Sequence, residues 1–136
     1  MQLNAYLNFD GRCEAAFKFY EQLLGGKILM MSSFEGTPMA NEVPPEMRNK
    51  VIHARMEIGD TVLMGSDAPP GRVEQPKGFA LSLRLEKTAE AERIFSALAE
   101  GADVGMPIGK TFFAARFGML RDRFGVPWMI LCEHED

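Results

Sequence analysis

The sequence predicts an α+β fold in which one unit of five elements, a strand, a helix and three strands, occurs twice in 136 residues. Two stretches carry the repeat, Gly59 to Asp67 and Gly125 to Glu133. Each runs without a gap from a turn glycine through an apolar strand to an acid. The repeat predicts two tandem βαβββ modules within one domain, residues 1–68 and 79–133, joined by a linker at 69–78 that is rich in proline and glycine.

The first module begins with a strand of alternating apolar residues, followed by a helix with apolar residues at helical spacing. Asp10 is a candidate cap for this helix. Gly25 is its predicted end, since glycine adopts the left-handed conformation of many helix ends. The connection at residues 35–50 is long and is either a lid or a solvated excursion. The predicted strands of this module are residues 3–9, 27–33, 51–58 and 61–65.

The second module repeats this pattern with a shorter third connection. Thr88 is the predicted helix cap and Gly101 follows the helix end. A buried stripe at helical spacing comprises Ala91, Ile94, Phe95 and Leu98. The predicted strands of this module are residues 79–85, 102–106, 112–120 and 126–132.

Composition limits the classes of partner. A formal net charge of -4 and a sequence pI of about 5.2 argue against nucleic acid or anionic membrane as a partner. No apolar segment approaches the roughly 20 residues of a membrane span, and no signal peptide is recognisable. Two cysteines are too few for a disulfide framework, which predicts a cytoplasmic protein with reduced thiols. Cys13 lies on the apolar helix stripe, where a buried thiol is favoured over a nucleophile.

Three segments together resemble the PhnB-like proteins, a branch of the vicinal oxygen chelate superfamily that includes glyoxalase I, extradiol dioxygenases and bleomycin and fosfomycin resistance proteins. The segments are Tyr6 to Phe17, Leu63 to Asp67 and Asp122 to Met129. The resemblance implies paired βαβββ modules whose mixed sheets curve around a cleft, a glyoxalase-like fold, usually as a homodimer. It does not define a reaction, because this scaffold carries isomerases, lyases, dioxygenases, transferases and drug binders.

The resemblance also implies where a metal would bind. Metal-dependent relatives hold a divalent ion with four His or Glu side chains, one on the first and one on the last strand of each module. The matching positions in this sequence are Asn4 (or Ala5), Leu63, Ala80 (beside Phe79) and Met129. None is His, Glu or Asp, and an amide or a lone thioether does not anchor such an ion. We therefore expect no cofactor, with a divalent metal as the alternative.

Other polar residues have two interpretations each. His53 belongs to the polar face of a half-buried strand, as a hydrogen-bonded residue or as a ligand. His134 lies in an acidic tail where disorder is the default. Asp67 and Glu133 end the two repeated stretches and are either a carboxylate pair or ordinary solvated or salt-bridged acids.

A set of polar and cationic residues is the main candidate for binding a small molecule. Arg55 and Arg116 occupy matching places in the two modules, as ligand-binding residues or as partners in ion pairs. Arginine binds a carboxylate or phosphonate bidentately, and amides or hydroxyls then orient the ligand. The residues expected to face the cleft are Asn4, Tyr6, Asn8, Ala80, Ser82 and Arg84. The expected apolar wall consists of Met64, Phe79, Phe113, Trp128 and Met129.

Two functions remain open, and with them whether the chain is an enzyme. The first is metal-independent binding of a small polar or anionic organic molecule in a sheet cleft. The second is a divalent-metal-dependent lyase, isomerase or dioxygenase of the glyoxalase type, with the ion held in an unusual way that uses His53. A methyltransferase is disfavoured, because no glycine-rich strand-to-helix turn followed by an acid is present to hold a methyl donor.

Overall fold

The structure is a computed structural model that describes residues 1–136 and confirms the α+β class, with two four-stranded mixed sheets and two α-helices. The chain divides into two compact units, Met1–Glu74 (unit 1) and Gln75–Asp136 (unit 2). The boundary between them falls inside the segment predicted as a linker. No helix is long and apolar enough to cross a membrane.

Unit 1 contains the first βαβββ motif. Its sheet has the order β1-β4-β3-β2, with β1 parallel to β4 and the other neighbours antiparallel. Helix α1 ends as predicted at Gly25, whose φ of 69° is left-handed. The elements are β1 (Ala5–Phe9), α1 (Cys13–Leu24), β2 (Lys27–Ser33), β3 (Val51–Ile58) and β4 (Thr61–Asp67).

Unit 2 repeats the motif with the sheet order β5-β8-β7-β6. Strand β7 starts later than predicted because Thr111 closes a tight turn, its backbone N–H donating to the carbonyl of Ala114. Strand β5 is shorter at both ends than predicted, and β6 extends three residues beyond its predicted end. The elements are β5 (Leu81–Arg84), α2 (Thr88–Ala99), β6 (Asp103–Gly109), β7 (Arg116–Arg121) and β8 (Pro127–Cys132).

In each unit a phenylalanine of the helix packs directly on a glycine of the sheet. A Cβ atom placed on Gly65 would lie 2.9 Å from Cε1 of Phe17, and one on Gly118 would lie 2.6 Å from Cε2 of Phe95. Both distances are shorter than real carbon contacts, so only glycine allows this approach. These glycines identify the helix face of each sheet. We call the opposite side the open face.

The two terminal hairpins differ by one residue in their turns. Ile58 pairs with Thr61 across two turn residues, whereas Asp122 donates its N–H to the carbonyl of Val126 across three. The gap-free alignment of the two repeats is therefore wrong by one residue, and Leu63 corresponds to Trp128 rather than to Met129. Because successive strand residues point to opposite faces, the gap-free alignment equates residues on opposite faces, such as Leu63 on the helix face and Met129 on the open face.

A buried carboxylate, rather than Asp10, caps helix α1. Asp67 is 3% exposed, and its Oδ1 accepts from the N–H groups of Gly11 (3.0 Å) and Cys13 (2.9 Å). Its Oδ2 accepts from the N–H of Val51 at 2.9 Å. The end of β4 is thereby joined to the start of α1 and the start of β3. Asp10 instead forms an exposed ion pair with Arg12, so its prediction as the cap is wrong.

The long connection between β2 and β3 folds onto a small core of its own. Two 3₁₀ turns, Pro38–Asn41 and Pro45–Met47, lie within it. Phe34, Val43 and Met47 are buried together and pack against Ile52. The segment is therefore an ordered excursion attached to β3.

Candidate ligand-binding site

The open face of unit 1 carries a hydrogen-bonded aromatic pair. Tyr6 of β1 and His53 of β3 reach towards each other across β4, and the Tyr6 hydroxyl lies 3.0 Å from His53 Nδ1. Their rings are stacked, with centroids 5.7 Å apart and planes 26° from parallel. The pair forms a flat, polar surface, and Tyr6 itself is 45% exposed. Either partner acts as the donor, depending on the tautomer of the imidazole.

Arg55 lies on the same face as His53, two residues further along β3 and directly opposite Met64 of β4. It is half-buried, and no hydrogen bond or ion pair joins its guanidinium to another residue of the chain. By contrast, Arg84 and Arg116 are both held by carboxylates. Arg55 is therefore a partly desolvated cation whose planar donors remain available to a ligand.

Smaller side chains complete this face around the pair and the arginine. The Ser66 hydroxyl donates to Asn8 Oδ1 at 3.3 Å, and Met64 lies between Tyr6 and Arg55 in the pairing of the strands.

Met30 and Ser32 of β2 lie opposite Arg55 and His53. These two residues were not predicted from the sequence, because irregularities in the pairing of β2 interrupt its simple alternation.

Asn4 precedes β1 and is half-buried, in line with Tyr6 and Asn8. The structure thus brings Tyr6, Asn8, His53 and Arg55 onto one face, as expected for four of the predicted site residues.

The corresponding face of unit 2 is mostly apolar. With the corrected register, Phe117 replaces His53, Met119 replaces Arg55 and Leu131 replaces Ser66. Ser82 and Met129 are paired on this face, and Ala80 precedes β5 in line with them. The aromatic turn before β7 adds Phe113. Its ring contacts that of Phe117 edge-on, with the two ring centroids 5.0 Å apart.

Three predicted site residues lie on the helix faces instead. Leu63 is buried there in unit 1, and Trp128 is buried in unit 2, where its indole N–H donates to Asp122 Oδ2 at 2.9 Å.

Arg116 is held by Glu92 of α2 at 2.6 Å and by Glu135 at 3.2 Å. The hydrogen bond to Glu92 raises the pKa of the Arg116 guanidinium. The prediction that Arg116 matches Arg55 is wrong, because Arg55 corresponds to Met119.

The remaining acids and the cysteine have structural partners. The expected correspondence of Asp67 and Glu133 is wrong: Asp67 binds three backbone N–H groups, whereas Glu133 pairs with Arg84 at 3.1 Å on the surface. Burial, assisted by the nearby charge of Asp67, raises the pKa of the Cys13 thiol to about 12. A neutral buried thiol is a poor nucleophile, so Cys13 packs as an apolar side chain.

The residues of the chain do not fit a divalent metal centre. No three side chains of His, Cys, Asp or Glu converge anywhere in the structure. Metal ligands were expected on the first and last strand of each module. The open-face residues at or next to those positions are Asn4, Met64, Ala80 and Met129. A centre of four imidazole or carboxylate ligands therefore has no donor set within one chain.

Comparison with known proteins gives both a family and close relatives. The model of the Glyoxalase/Bleomycin resistance protein/Dioxygenase superfamily matches residues 2–130. Protein YjdN of Escherichia coli is 36% identical over 96% of this chain and 94% of its own length.

Two solved structures share the fold along nearly their full lengths. Protein PA1353 from Pseudomonas aeruginosa is 47% identical, with a TM-score of 0.89 over 100% of this chain and 99% of the other. A PhnB protein from Bacillus cereus, described as a putative 3-demethylubiquinone-9 3-methyltransferase, is 25% identical, with a TM-score of 0.84 over 97% and 99% of the two chains.

Proposed function

Since this chain belongs to the Glyoxalase/Bleomycin resistance protein/Dioxygenase superfamily, whose members need not share a reaction, we propose that it binds a small organic anion on the open face of unit 1 without a metal ion. The observation that carries the proposal is the unpaired, half-buried guanidinium of Arg55 beside the Tyr6–His53 pair. Arg55 binds the anionic group, and the stacked rings with Met64 support the organic part of the ligand.

Charge and geometry favour an anion over a cation at this place. Partial burial weakens the hydration of Arg55, and an oxyanion restores hydrogen bonds to its planar donors. Glu57, the nearest acid along β3 on the same side, is exposed and forms no ion pair with Arg55. The hydroxyls of Ser66 and Tyr6 add directional contacts to polar substituents of the ligand.

Calorimetric titration with phenylphosphonate and benzoate tests the anion site. We expect saturable binding by the wild type and a loss of affinity of at least about tenfold, or 1.4 kcal/mol, in Arg55→Gln. The matched control is Arg72→Gln, which removes the same charge from an exposed residue outside both sheets. Equal affinity in the wild type and Arg55→Gln, or equal losses in both variants, contradicts the proposal.

The metal-independent part of the proposal rests on the donor set described above. Elemental analysis tests it on untagged protein that was purified without chelator and then equilibrated with nickel, zinc, manganese and iron(II). We expect no stoichiometric ion to be retained after desalting. A tightly held ion at one per chain contradicts the proposal and favours a metal-dependent lyase, isomerase or dioxygenase.

We further propose that the protein is a homodimer. Apolar side chains are exposed along the edge strand β6, at Val104 and Met106, and Phe112 at the tip of the following turn is fully exposed. Burying such surface against a second copy stabilises an assembly. Light scattering at micromolar concentration is expected to give twice the chain mass of 15.2 kDa. A monomer at that concentration contradicts this part.

We also propose a cytoplasmic location. Both cysteines are free and buried, as expected where thiols stay reduced. Fractionation of cells that express the untagged chain at native level tests this. Recovery outside the cytoplasmic fraction contradicts it.

A further inference from the structure

Unit 2 contains a cavity of about 260 Å³ whose lining is distinct from the residues of the proposed anion site. One row of residues across the sheet contributes to it, with Arg121 of β7 paired to Pro127 on one side and to Asp103 on the other. Phe79 and Met119 add apolar walls. This volume is slightly below the roughly 300–1,000 Å³ of pockets for drug-sized ligands, so the cavity suits a molecule with a single ring.

Arg121 is incompletely bonded by the chain. One terminal nitrogen, Nη2, donates to the carbonyl of Pro76 at 2.9 Å, which holds the side chain in place. The inner nitrogen, Nε, is buried without a hydrogen-bond partner. Buried donors in proteins are nearly always satisfied, because an orphan donor destabilises the structure. A small turn of the guanidinium towards an acceptor in the cavity would satisfy this group.

Asp103 determines which acceptor fits. It borders the same cavity and pairs with Arg121 across the sheet, yet the two side chains form no ion pair. An anionic ligand would be attracted by Arg121 and repelled by Asp103. A primary carboxamide suits both, since its carbonyl accepts hydrogen bonds and its NH₂ group donates them.

We propose that this cavity of unit 2 binds small neutral aromatic carboxamides. The carbonyl oxygen of the ligand accepts from Arg121, the NH₂ group donates to Asp103, and the ring lies against Phe79 and Met119. This inference goes beyond the proposed function, because it concerns another unit, another arginine and a neutral rather than an anionic ligand.

The single tryptophan of the chain, Trp128, is among the residues that border the cavity, and its indole, buried on the helix face of the same strand, provides the signal. Benzamide titrated into the full-length protein is expected to change its fluorescence saturably, with millimolar affinity typical of a ligand of this size. Arg121→Met should weaken benzamide by about tenfold, because a charge-assisted hydrogen bond is lost. Arg93→Gln, on the exposed side of α2, is the control and should bind like the wild type.

Selectivity tests the polar assignment without depending on Arg121. In Arg55→Gln, which lacks the proposed anion site, benzoate should bind more weakly than benzamide when Trp128 fluorescence is followed, and the added conservative substitution Asp103→Asn should reduce or reverse this preference several-fold. The inference is overturned if benzamide gives no saturable signal at tens of millimolar, if Arg121→Met binds it normally, or if Asp103→Asn leaves the selectivity unchanged. Arg55→Gln separates the two sites: it should weaken phenylphosphonate and leave benzamide unaffected, and equal loss of benzamide affinity also overturns the inference.

Discussion

Replacement of Asp67 by asparagine or alanine is predicted to destabilise unit 1 strongly. The carboxylate is almost fully buried and accepts three backbone hydrogen bonds, from Gly11, Cys13 and Val51. Asparagine keeps the oxygen that accepts from two of them, but its NH₂ group then faces the N–H of Val51. One hydrogen bond is lost, one donor is orphaned and the charge is removed.

The magnitude follows from these contacts. A hydrogen bond to a charged group contributes about 1.5–3 kcal/mol, and an orphaned donor costs about 1–3 kcal/mol. We therefore expect Asp67→Asn to lower the free energy of unfolding by about 2–4 kcal/mol, and Asp67→Ala, which leaves all three donors without a partner, by about 3–5 kcal/mol. Because domains are stable by only about 5–15 kcal/mol, the alanine variant should be close to unfolding at growth temperature.

Urea denaturation measures this directly. The midpoint should fall in both variants with an unchanged slope, so that the difference reflects stability alone. Asp60→Asn is the control, because Asp60 lies exposed in the two-residue turn before β4, and its change should stay within about 0.5 kcal/mol. A loss below about 0.5 kcal/mol in Asp67→Asn, or an alanine variant no less stable than the asparagine variant, would refute the assignment of Asp67 as the connector of three segments.

Three further predictions concern packing, the thiol and the dimer. Gly118→Ala should lower the free energy of unfolding by about 1–3 kcal/mol, since the new methyl group displaces the Phe95 ring; a neutral effect in thermal denaturation would contradict that contact. Because the pKa of Cys13 is about 12 in the folded protein against an ordinary value of 9.0 for a thiol, the unfolded state loses this proton first as the pH rises. Stability should therefore fall by about 1.4 kcal/mol more between pH 8 and 10 in the wild type than in Cys13→Ala, and equal pH dependence in urea titrations would argue against the shift. Phe112→Ser should weaken the dimer several-fold in light scattering at decreasing concentration, and an unaltered dissociation constant would exclude this ring from the interface.

The element order was predictable from the sequence because strand alternation, helical spacing and turn glycines are local signals. The register of the second hairpin was not. Gly59 and Gly125 both precede apolar strands and invite a gap-free alignment, but the Asp122 carboxylate accepts from the N–H groups of Phe124 and Val126 and supports a turn with one more residue. A side-chain acceptor at the start of a turn, here Asp122, is the sequence signal for this longer turn.

The candidate site was predictable in part. Alternation along β1 and β3 placed Tyr6, Asn8, His53 and Arg55 on one face, and the structure agrees. The different surroundings of Arg55 and Arg116 depend on distant elements: Glu92 of α2 pairs with Arg116, and no acid reaches Arg55. Ion pairing between elements that are far apart in sequence requires three-dimensional structure, so a match between two arginines in a repeat did not reveal their roles.

The most direct test of metal-free anion binding is a proton NMR titration of chelator-treated protein with phenylphosphonate. The chain has two histidines, so the ring proton of His53 is readily distinguished from that of the exposed His134, which serves as the internal reference. We predict a saturable shift of the His53 signal in the wild type, no such shift in Arg55→Gln, and the same affinity with and without chelator. A His53 signal that does not respond, or that responds only after a divalent metal is added, would contradict the proposed function.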